Sequence, residues 1–473
     1  MSDGRSSSVV ALVVCLVLSL PSKCIGTGGR STSSAPLDFD VVVYGASPGG
    51  IAAAITAANG TGLRVALLEP SPHVGGMSGP GGIGLRDTAQ PSGAVMGGLR
   101  SVMHAWLHLN DVYYKASGVL QPDATVAQDN WNTLVADPRY NLTVVRNAAL
   151  DEAAGAVVKS GLAIKSIRTV DPRQAPGEPT TTWTARVFID ASYEADVLIA
   201  SGADWTYGRE PNSTYKESLG GILPNPSFQR FRVTVDPFWP NGTLLDGVDP
   251  SETLPLPGDG DDRVMPSSYR ACITTDKTLR APWPRPANYD ETRYELLIRL
   301  AVAMNNTNLS LSDFVGIYPY NGYPATPTRP LRYDLCENGE LSTDQPSHLY
   351  SAYVIGNRTV RASVRSAVLN WVAGWAYTLA NSQRIPAPLR ASASSWGLCN
   401  DAWPDTGHWP EQMYVREGAR LVGDWVATQV RACSAVIRVM REFVYHKVFN
   451  LVEKLLSVSR APDLHKHSPV MPL

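Results

Sequence analysis

Residues 38–54 read DFDVVVYGASPGGIAAA, and residues 63–69 read LRVALLE. The apolar run 41–43 is too short for a buried helix and ends close to a glycine, which predicts a central parallel strand. Small residues follow and favour a helix packed closely against that strand, and the second stretch predicts another strand. The order strand, turn, helix, strand predicts a β-α-β unit that binds the pyrophosphate of a dinucleotide.

The turn of this unit carries the residue types that a dinucleotide requires. Gly45, Ser47 and Gly50 occupy the three fingerprint positions, which permit a tight turn, close approach of phosphate and close helix–strand packing. Gly49 is a further candidate, because the helix N-terminus offers N–H groups and a positive dipole end to an anion. Glu69 is placed to accept both hydroxyls of an adenosine ribose, and its charge disfavours NADP. A glycine-rich turn in an ordinary α/β protein is the alternative interpretation.

A second glycine-rich segment follows directly, since residues 75–84 read GGMSGPGGIG. Backbone with so few side chains can lie flat against a large planar ligand, and a flavin must be threaded through a protein with its ring covered. The candidates for contact with FAD in this segment are Gly75, Gly76, Met77 and Ser78. A mobile surface lid is the alternative, because glycine-rich loops are often simply flexible.

Length and charge limit the possible functions. A chain of 473 residues can form two domains, or one large fold with an insertion. The formal net charge is −2 and the isoelectric point is about 6.5. These values indicate no polyanionic partner, and we do not expect nucleic-acid binding.

The N-terminal residues predict secretion. Arg5 precedes a largely apolar run at 9–20, which predicts a signal peptide at 1–26, followed by a flexible linker at 27–38. The run is too short for a transmembrane span, and an uncleaved anchor is the alternative. Glycan acceptors of the Asn-X-Ser/Thr type occur at Asn59, Asn141, Asn212, Asn241, Asn305, Asn308 and Asn357.

Four cysteines remain after removal of the predicted signal: Cys272, Cys336, Cys399 and Cys433. They allow three pairings, between which the sequence does not choose. No Cys-X-X-Cys occurs, so neither a dithiol relay to flavin nor an iron–sulfur cluster can be built with the usual spacing. We therefore expect no metal site.

The rest of the chain predicts a dinucleotide-binding domain at 39–207 and an inserted substrate region at 208–395. We predict a helix at 99–119, strands at 141–145 and 182–189, and a further helix at 360–380 with an apolar face. Asp190 and Ala191 follow a strand and are candidates for cofactor binding. Capping of the next helix by Ser192 explains the same residues equally well.

Four blocks resemble a known family. They are residues 40–54, 69–87, 188–210 (FIDASYEADVLIASGADWTYGRE) and 396–426 (WGLCNDAWPDTGHWPEQMYVREGARLVGDWV). Residues 39 to about 428 resemble the FAD-dependent oxidoreductases that often carry the label xanthan-lyase-like, a branch of the glutathione-reductase-type flavoproteins. The resemblance implies an α/β fold with a parallel sheet, in which a Rossmann-type domain binds FAD non-covalently and a substrate region is inserted.

The last block supplies the catalytic candidates, because flavin performs the hydride transfer and the protein adds orientation and proton handling. They are His408, Glu411, Tyr414 and Arg416, with Glu417 beside them. His408 could act as a base, and Arg416 could fix a carboxylate or stabilise reduced flavin. The alternative is structural: we predict a helical block at 396–429, on which Arg416 and Glu417 would pair with neighbours.

The leading functional prediction is a secreted FAD-dependent oxidoreductase acting on an unknown small or carbohydrate-like substrate. One alternative is a non-catalytic glycoprotein, or an inactive isoform, that retains the fold but holds no flavin. Another is a polysaccharide lyase, for which no residue constellation is visible. The oligomeric state, the electron acceptor and the substrate stay open.

The C-terminal segment 430–473 departs from the family. Family members continue with a strand and helix that close the flavin pocket, whereas this segment predicts one amphipathic helix with seven Lys and Arg against three Asp and Glu. We therefore expect a C-terminally incomplete flavoprotein that binds FAD poorly. We attribute the departure to an alternative or misread 3′ end of the gene, and a helix that binds a membrane surface or a partner is the other interpretation.

Overall fold

A computed structural model describes residues 36–84, 100–116, 118–175, 177–223, 231–248, 256–304, 308–320, 331–344, 349–426 and 428. The predicted signal peptide (1–26) and most of the linker lie outside these residues. The predicted tail at 430–473, Asn305 and Cys433 also lie outside them.

The predicted β-α-β unit is confirmed. Strand β1 (Leu37–Tyr44) leads through a turn into helix α1 (Pro48–Ala58), and strand β2 (Val65–Glu69) follows and pairs with β1 in parallel. Alternate residues of β1 face opposite sides of the sheet, and both sides are buried, as a central parallel strand requires. Leu37 already pairs with Trp183 of the strand on the other side of β1, so β1 begins inside the predicted linker 27–38.

The first sheet has seven strands in the described residues, and its parallel part has the order β3-β2-β1-β7. An antiparallel part, β6 with β4 and β5, extends it beyond β7. The remaining strands of the sheet are β3 (Leu142–Arg146), β4 (Ala149–Leu150), β5 (Val157–Ser160), β6 (Ala163–Val170) and β7 (Thr181–Asp190). The two strands predicted for this part of the chain are β3 and β7.

Three helices cover one face of this sheet: α1, α2 (Arg100–Tyr114) and α3 (Ala124–Val135). The predicted helix at 99–119 corresponds to α2 and ends earlier than expected. Trp106 and Trp131 are fully buried and stack with ring centroids 5.2 Å apart, which locks α2 onto α3.

The sequence did not predict the second sheet, which has four strands in the region predicted as an insertion (208–395) and a fifth in the block 396–429. Its strands, in the order β10-β13-β9-β12-β11, pair antiparallel. They are β9 (Ala271–Thr274), β10 (Arg280–Ala281), β11 (Gly316–Pro319), β12 (Tyr333–Cys336) and β13 (Gly397–Cys399). A disulfide between Cys272 and Cys399 joins β9 to β13, and Cys336 is a buried free thiol.

The predicted helix at 360–380 is confirmed as α8 (Arg358–Asn381), whose predicted face of Val364, Val368, Val372 and Trp375 is buried. Its tryptophans belong to the core of the second region. The other helices are α4 (Asp196–Ala200), α5 (Asn212–Tyr215), α6 (Glu295–Ala303), α7 (Leu349–Ile355) and α9 (Ala387–Ser395). No helix in the described ranges is both long and apolar enough to cross a membrane.

The helical character predicted for block 396–429 is wrong. After β13, the described residues of this block contain only a 3₁₀ turn at Pro404–Thr406 and strand β14 (Arg420–Leu421), which pairs with β8 (Trp205–Thr206). Pro410 and Gly407 interrupt the apolar pattern, and Trp403 adopts a left-handed conformation with φ +43°. The apolar residues fill the core from an irregular segment instead of a helix face.

Candidate functional site

The turn between β1 and α1 can be made only with glycine at two positions. Gly45 has φ +94°, and a Cβ atom added to it would lie 2.5 Å from the backbone nitrogen of Ser192. A Cβ atom on Gly50 would lie 1.9 Å from the carbonyl oxygen of Gly45. A Cβ atom on Gly49, in contrast, would meet only the Ser47 hydroxyl at 3.8 Å. Gly45 and Gly50 therefore bring helix α1, strand β1 and the loop after β7 together.

Ser47, which replaces the middle glycine of the fingerprint, has a structural reason to be serine. Its hydroxyl oxygen accepts the backbone N–H of Gly50 at 3.3 Å and so caps helix α1. The same hydroxyl donates to the carbonyl oxygen of Ala191 at 2.8 Å. The serine thus holds the N-terminus of α1 close to the loop after β7. The candidates Ser47 and Ala191 are therefore in direct contact.

Glu69 ends β2 beside this turn. One carboxylate oxygen accepts the backbone N–H of Ala46 at 2.7 Å, and the other accepts the N–H of Ser71 at 2.9 Å. Burial raises the pKa of Glu69 to about 7, although these N–H groups favour the charged form. A buried acid with this pKa gains from additional donors, which is the role that ribose hydroxyls would fill.

Two aromatic side chains support the second glycine-rich segment. A Cβ atom on Gly75 would lie 2.3 Å from the Trp131 ring, and one on Gly76 would lie 2.5 Å from the Tyr193 hydroxyl. The Tyr193 hydroxyl oxygen accepts the backbone N–H of Met77 at 2.9 Å. The glycines therefore allow the segment to pass between two rings, which fixes its path.

A cavity of about 690 Å³ opens beside the turn, a size typical of small-molecule sites. Six predicted site residues line it: Gly45, Ser47, Glu69, Gly76, Ala191 and Glu411. The other nine predicted site residues are not among the described residues that line the cavity: Gly49, Gly50, Gly75, Met77, Ser78, Asp190, His408, Tyr414 and Arg416.

Several of those residues hold the wall in place from behind. Asp190 accepts hydrogen bonds from the backbone N–H groups of Ser192 at 3.0 Å and Leu198 at 2.9 Å, so it shapes the loop after β7. Ala195 occupies the N-cap position of helix α4 with φ +56°. The Ser192 hydroxyl accepts the backbone N–H of Asp196, the first residue of that helix. Ser78 is buried and accepts the indole N–H of Trp131 at 3.0 Å.

Three of the four catalytic predictions lie away from the cavity. Arg416 pairs with Glu337 at 2.8 Å and Asp344 at 3.0 Å. Burial alone would lower its pKa, but the two carboxylates outweigh burial and raise the pKa above its usual value. The Tyr414 ring lies under the Arg416 guanidinium, 5.0 Å from it. The backbone of His408 has φ +71°, and its Nδ1 lies 3.0 Å from the Ala402 carbonyl.

Arg416 and Glu417 do pair structurally, but not with neighbours on a helix, as the sequence suggested. The partners of Arg416 come from the segment after β12, and Glu417 pairs with Arg420 and accepts the backbone N–H of Met265 at 3.2 Å. Through these contacts the irregular chain at 410–426 is held against residues of the predicted insertion region, 208–395.

Glu411 is the catalytic candidate that the structure places in the cavity wall, and it brings a partner that the sequence did not single out. His73 Nε2 lies 3.2 Å from a carboxylate oxygen of Glu411. The other ring nitrogen of His73 lies 2.7 Å from the Gln128 amide nitrogen. Both His73 and Glu411 line the cavity. The signal in the sequence was the position of His73, just before the second glycine-rich segment.

A second group that the sequence did not single out also lines the cavity. A Glu194 carboxylate oxygen accepts the Tyr353 hydroxyl at 2.7 Å, and Asp196 pairs with Arg361. Burial, followed by the charge of Asp196, raises the pKa of Glu194. Ala195 between the two acids has φ +56°, and the two acids bind different helices, Glu194 through Tyr353 of α7 and Asp196 through Arg361 of α8. The alternating acids of SYEAD were the available signal.

A sequence model described as FAD dependent oxidoreductase matches residues 40–439. The chain belongs to the FAD-dependent oxidoreductase family. The members of this family are oxidoreductases that depend on FAD. The match extends past residue 430, so the boundary predicted for the atypical tail differs from the end of the match.

Solved structures show weaker likeness. The myxobacterial chondrochloren halogenase CndH is 17% identical over 37% of this chain and 41% of that one, with a TM-score of 0.25. Thermovibrio ammonificans THI4 is 18% identical over 37% and 66%, with a TM-score of 0.25. The FAD-complexed glycerol-3-phosphate dehydrogenase of Bacillus halodurans is 12% identical over 39% and 44%, with a TM-score of 0.25. The matches cover less than two thirds of each structure, and scores this low carry no argument.

No curated protein sequence matches the chain. Among the described residues, no three His, Cys, Asp or Glu side chains are grouped so as to hold a metal ion.

The residues around the cavity fit FAD. The turn at Gly45 would receive the pyrophosphate at the N-terminus of α1, and Glu69 would bind the adenosine ribose. The segment at Gly76 would lie beside the flavin ring. The glycine positions that a Cβ atom would fill support this placement independently of the family match.

Proposed function

We propose that this flavoprotein is a secreted oxidoreductase of a small, polar, carbohydrate-like molecule. One observation carries the proposal: the dinucleotide cradle at Gly45 and Glu69 shares one cavity with His73 and Glu411, whose Nε2 and carboxylate oxygen lie 3.2 Å apart. Bound FAD would accept the hydride. The chain itself must bind and orient the substrate and remove a proton from it.

Glu411 is the proton acceptor in this proposal, and His73 positions it. When the Gln128 amide donates to Nδ1 of His73, the ring carries its proton on Nε2 and donates it to Glu411. This bond holds one carboxylate oxygen and leaves the other for the hydroxyl proton of a substrate. The Glu411 side chain is 40% exposed, so the carboxylate can reach a ligand in the cavity.

The polarity of the wall supports a polar substrate. Tyr193, Glu194 and Arg365 line the cavity together with Glu411, and they offer both donors and acceptors. A few placed polar groups are what fixes the orientation of a ligand. A carbohydrate-like alcohol satisfies such groups through its several hydroxyls.

Two observations support secretion. The disulfide between Cys272 and Cys399 is of a kind that forms in oxidising compartments. The six described glycan acceptors are all exposed: Asn59, Asn141, Asn212, Asn241, Asn308 and Asn357.

The test is to express the chain in secreting eukaryotic cells, supply FAD, and measure dye reduction by a panel of sugars and other small alcohols. From the cradle at Gly45 and Glu69 we expect FAD absorbance in the secreted protein, in contrast to the weak binding expected from the C-terminal segment. We also expect dye reduction by at least one panel member. Glu411→Gln should retain FAD and lose about 100-fold in rate, because a general base contributes 10²–10⁴. Full activity of Glu411→Gln would refute its role, and absence of flavin would favour the non-catalytic alternative.

A further inference from the structure

Asn357 lies at the rim of the cofactor cavity. It begins the acceptor sequence Asn357-Arg358-Thr359 and is exposed, while its chain neighbours Gly356 and Arg358 both line the cavity. The Arg358 guanidinium donates to the carbonyl oxygen of Leu150 at 2.8 Å, which ties this rim to the opposite wall.

The cavity reaches the surface at this edge. The wall beyond Leu150 is the loop 152–155, whose four residues are all exposed and all line the cavity. The backbone N–H of Arg358 donates to the Glu152 carboxylate of that loop. A group attached at Asn357 would therefore lie over the opening.

The Asn357 side chain is oriented for attachment of a glycan. Its Oδ1 accepts the backbone N–H of Val360 at 2.9 Å and caps helix α8. Nδ2, the atom that carries an N-linked glycan, makes no hydrogen bond within the described part of the chain. The cap is compatible with glycosylation, because the modified amide keeps its Oδ1.

The other described acceptors have no such relation to the cavity. Neither these residues nor their immediate chain neighbours belong to its wall: Asn59, Asn141, Asn212, Asn241 and Asn308. A glycan at any of them provides a matched control for the effects of glycosylation in general.

We propose that Asn357 carries an N-linked glycan that covers the mouth of the cavity and slows the release of FAD. The inference rests on the secretion that we propose for this protein. Outside the cell free FAD is scarce, and by mass action a cofactor once lost is not rebound. A bulky hydrated chain at the rim restricts the exit path without contacting the cofactor.

The test compares four forms of the secreted protein: wild type, Asn357→Asp, Thr359→Ala and Asn241→Asp. Aspartate preserves the helix cap and prevents glycosylation, whereas Thr359→Ala removes the acceptor without adding charge. Glycopeptide mass spectrometry reports occupancy, and recovery of FAD fluorescence after dilution reports release. We expect a glycan on wild-type Asn357 and release about threefold faster or more in both rim variants, since such changes act on the dissociation rate. Asn241→Asp should release FAD as wild type does.

Equal release rates in the glycosylated wild type and both rim variants would overturn the inference. So would glycans at other acceptors with none at Asn357, and that outcome would leave the proposed secretion standing. Secreted protein without a glycan at any acceptor would overturn the inference and remove one support of the proposed function, whereas intracellular retention would refute secretion itself.

Discussion

The Glu69 carboxylate accepts the backbone N–H of Ala46 at 2.7 Å, so the acid that ends β2 is fixed over the turn that ends β1. This bond joins the end of β2 to the turn after β1. It also keeps a carboxyl group in a buried position, where its charge is costly.

The pKa of Glu69, raised to about 7 by burial, predicts how stability depends on pH. In the unfolded chain the pKa of a Glu is about 4.3, so the folded protein binds the proton of Glu69 more tightly. The stabilisation is full below pH 4.3 and is lost as pH rises through about 7. We expect the melting temperature of FAD-free wild type, relative to Glu69→Gln, to fall between pH 5 and pH 8. A difference that stays constant over this range would contradict the assignment.

FAD affinity should show the opposite trend. Ribose hydroxyls donate to the ionised carboxylate, so binding should strengthen between pH 5 and pH 8 in wild type. Glu69→Gln should bind FAD more weakly at pH 8 and lose this dependence. Fluorescence titrations of both proteins at several pH values measure it, and parallel pH profiles would rule the role out.

Two adjacent glycines should respond differently to alanine. Gly50→Ala forces a Cβ atom into the Gly45 carbonyl and should lower the free energy of unfolding by about 3 kcal/mol. Gly49→Ala meets only the Ser47 hydroxyl at 3.8 Å, and should raise it by about 0.5–1 kcal/mol through helix propensity. Urea denaturation of the two variants tests the contrast. Equal stabilities would show that the turn is not packed as described.

Tyr193→Phe should loosen the second glycine-rich segment. The change leaves the backbone N–H of Met77 without its acceptor, at a cost of about 1–3 kcal/mol. We expect weaker FAD binding with little change in overall fold. Tyr289→Phe, which removes a hydroxyl bonded to Thr378 Oγ1, serves as the control. The idea fails if both variants bind FAD as wild type does.

Arg416 should behave as a structural residue. Arg416→Met leaves the buried carboxylates of Glu337 and Asp344 without this partner, and should destabilise the fold by about 3–5 kcal/mol. The pH profile of dye reduction by the surviving protein should match wild type. A stable Arg416→Met protein with an altered pH profile would restore the catalytic role that the sequence suggested.

The sequence predicted the β-α-β unit correctly because its signals are contiguous. Gly45, Gly50 and Glu69 lie within one short stretch, where each residue type has a local steric or electrostatic reason. Asp190 and Ala191 were candidates only because they follow a strand, and the parallel pairing of β7 with β1 that brings them beside the turn is seen in the structure alone. The helical spacing of apolar residues in α8 was an equally local signal, and it predicted the buried face of that helix.

Contacts between distant segments could not be predicted in this way. Trp131 and Tyr193 support the second glycine-rich segment from opposite sides, and nothing local to that segment names them. His73 meets Glu411 only because the irregular chain after β13 returns to the cavity. The helix expected at 396–429 failed because its apolar residues follow core packing and not a helical period.

Hydrogen exchange measured by mass spectrometry, with and without saturating FAD, tests the central claim most directly, because it maps the cofactor on the unaltered chain. Peptides covering 45–51, 69–76 and 190–196 should exchange more slowly when FAD is bound, while peptides covering α6 should not change. Protection confined to other segments, or unchanged exchange in all three peptides, would contradict the cofactor site described for this flavoprotein.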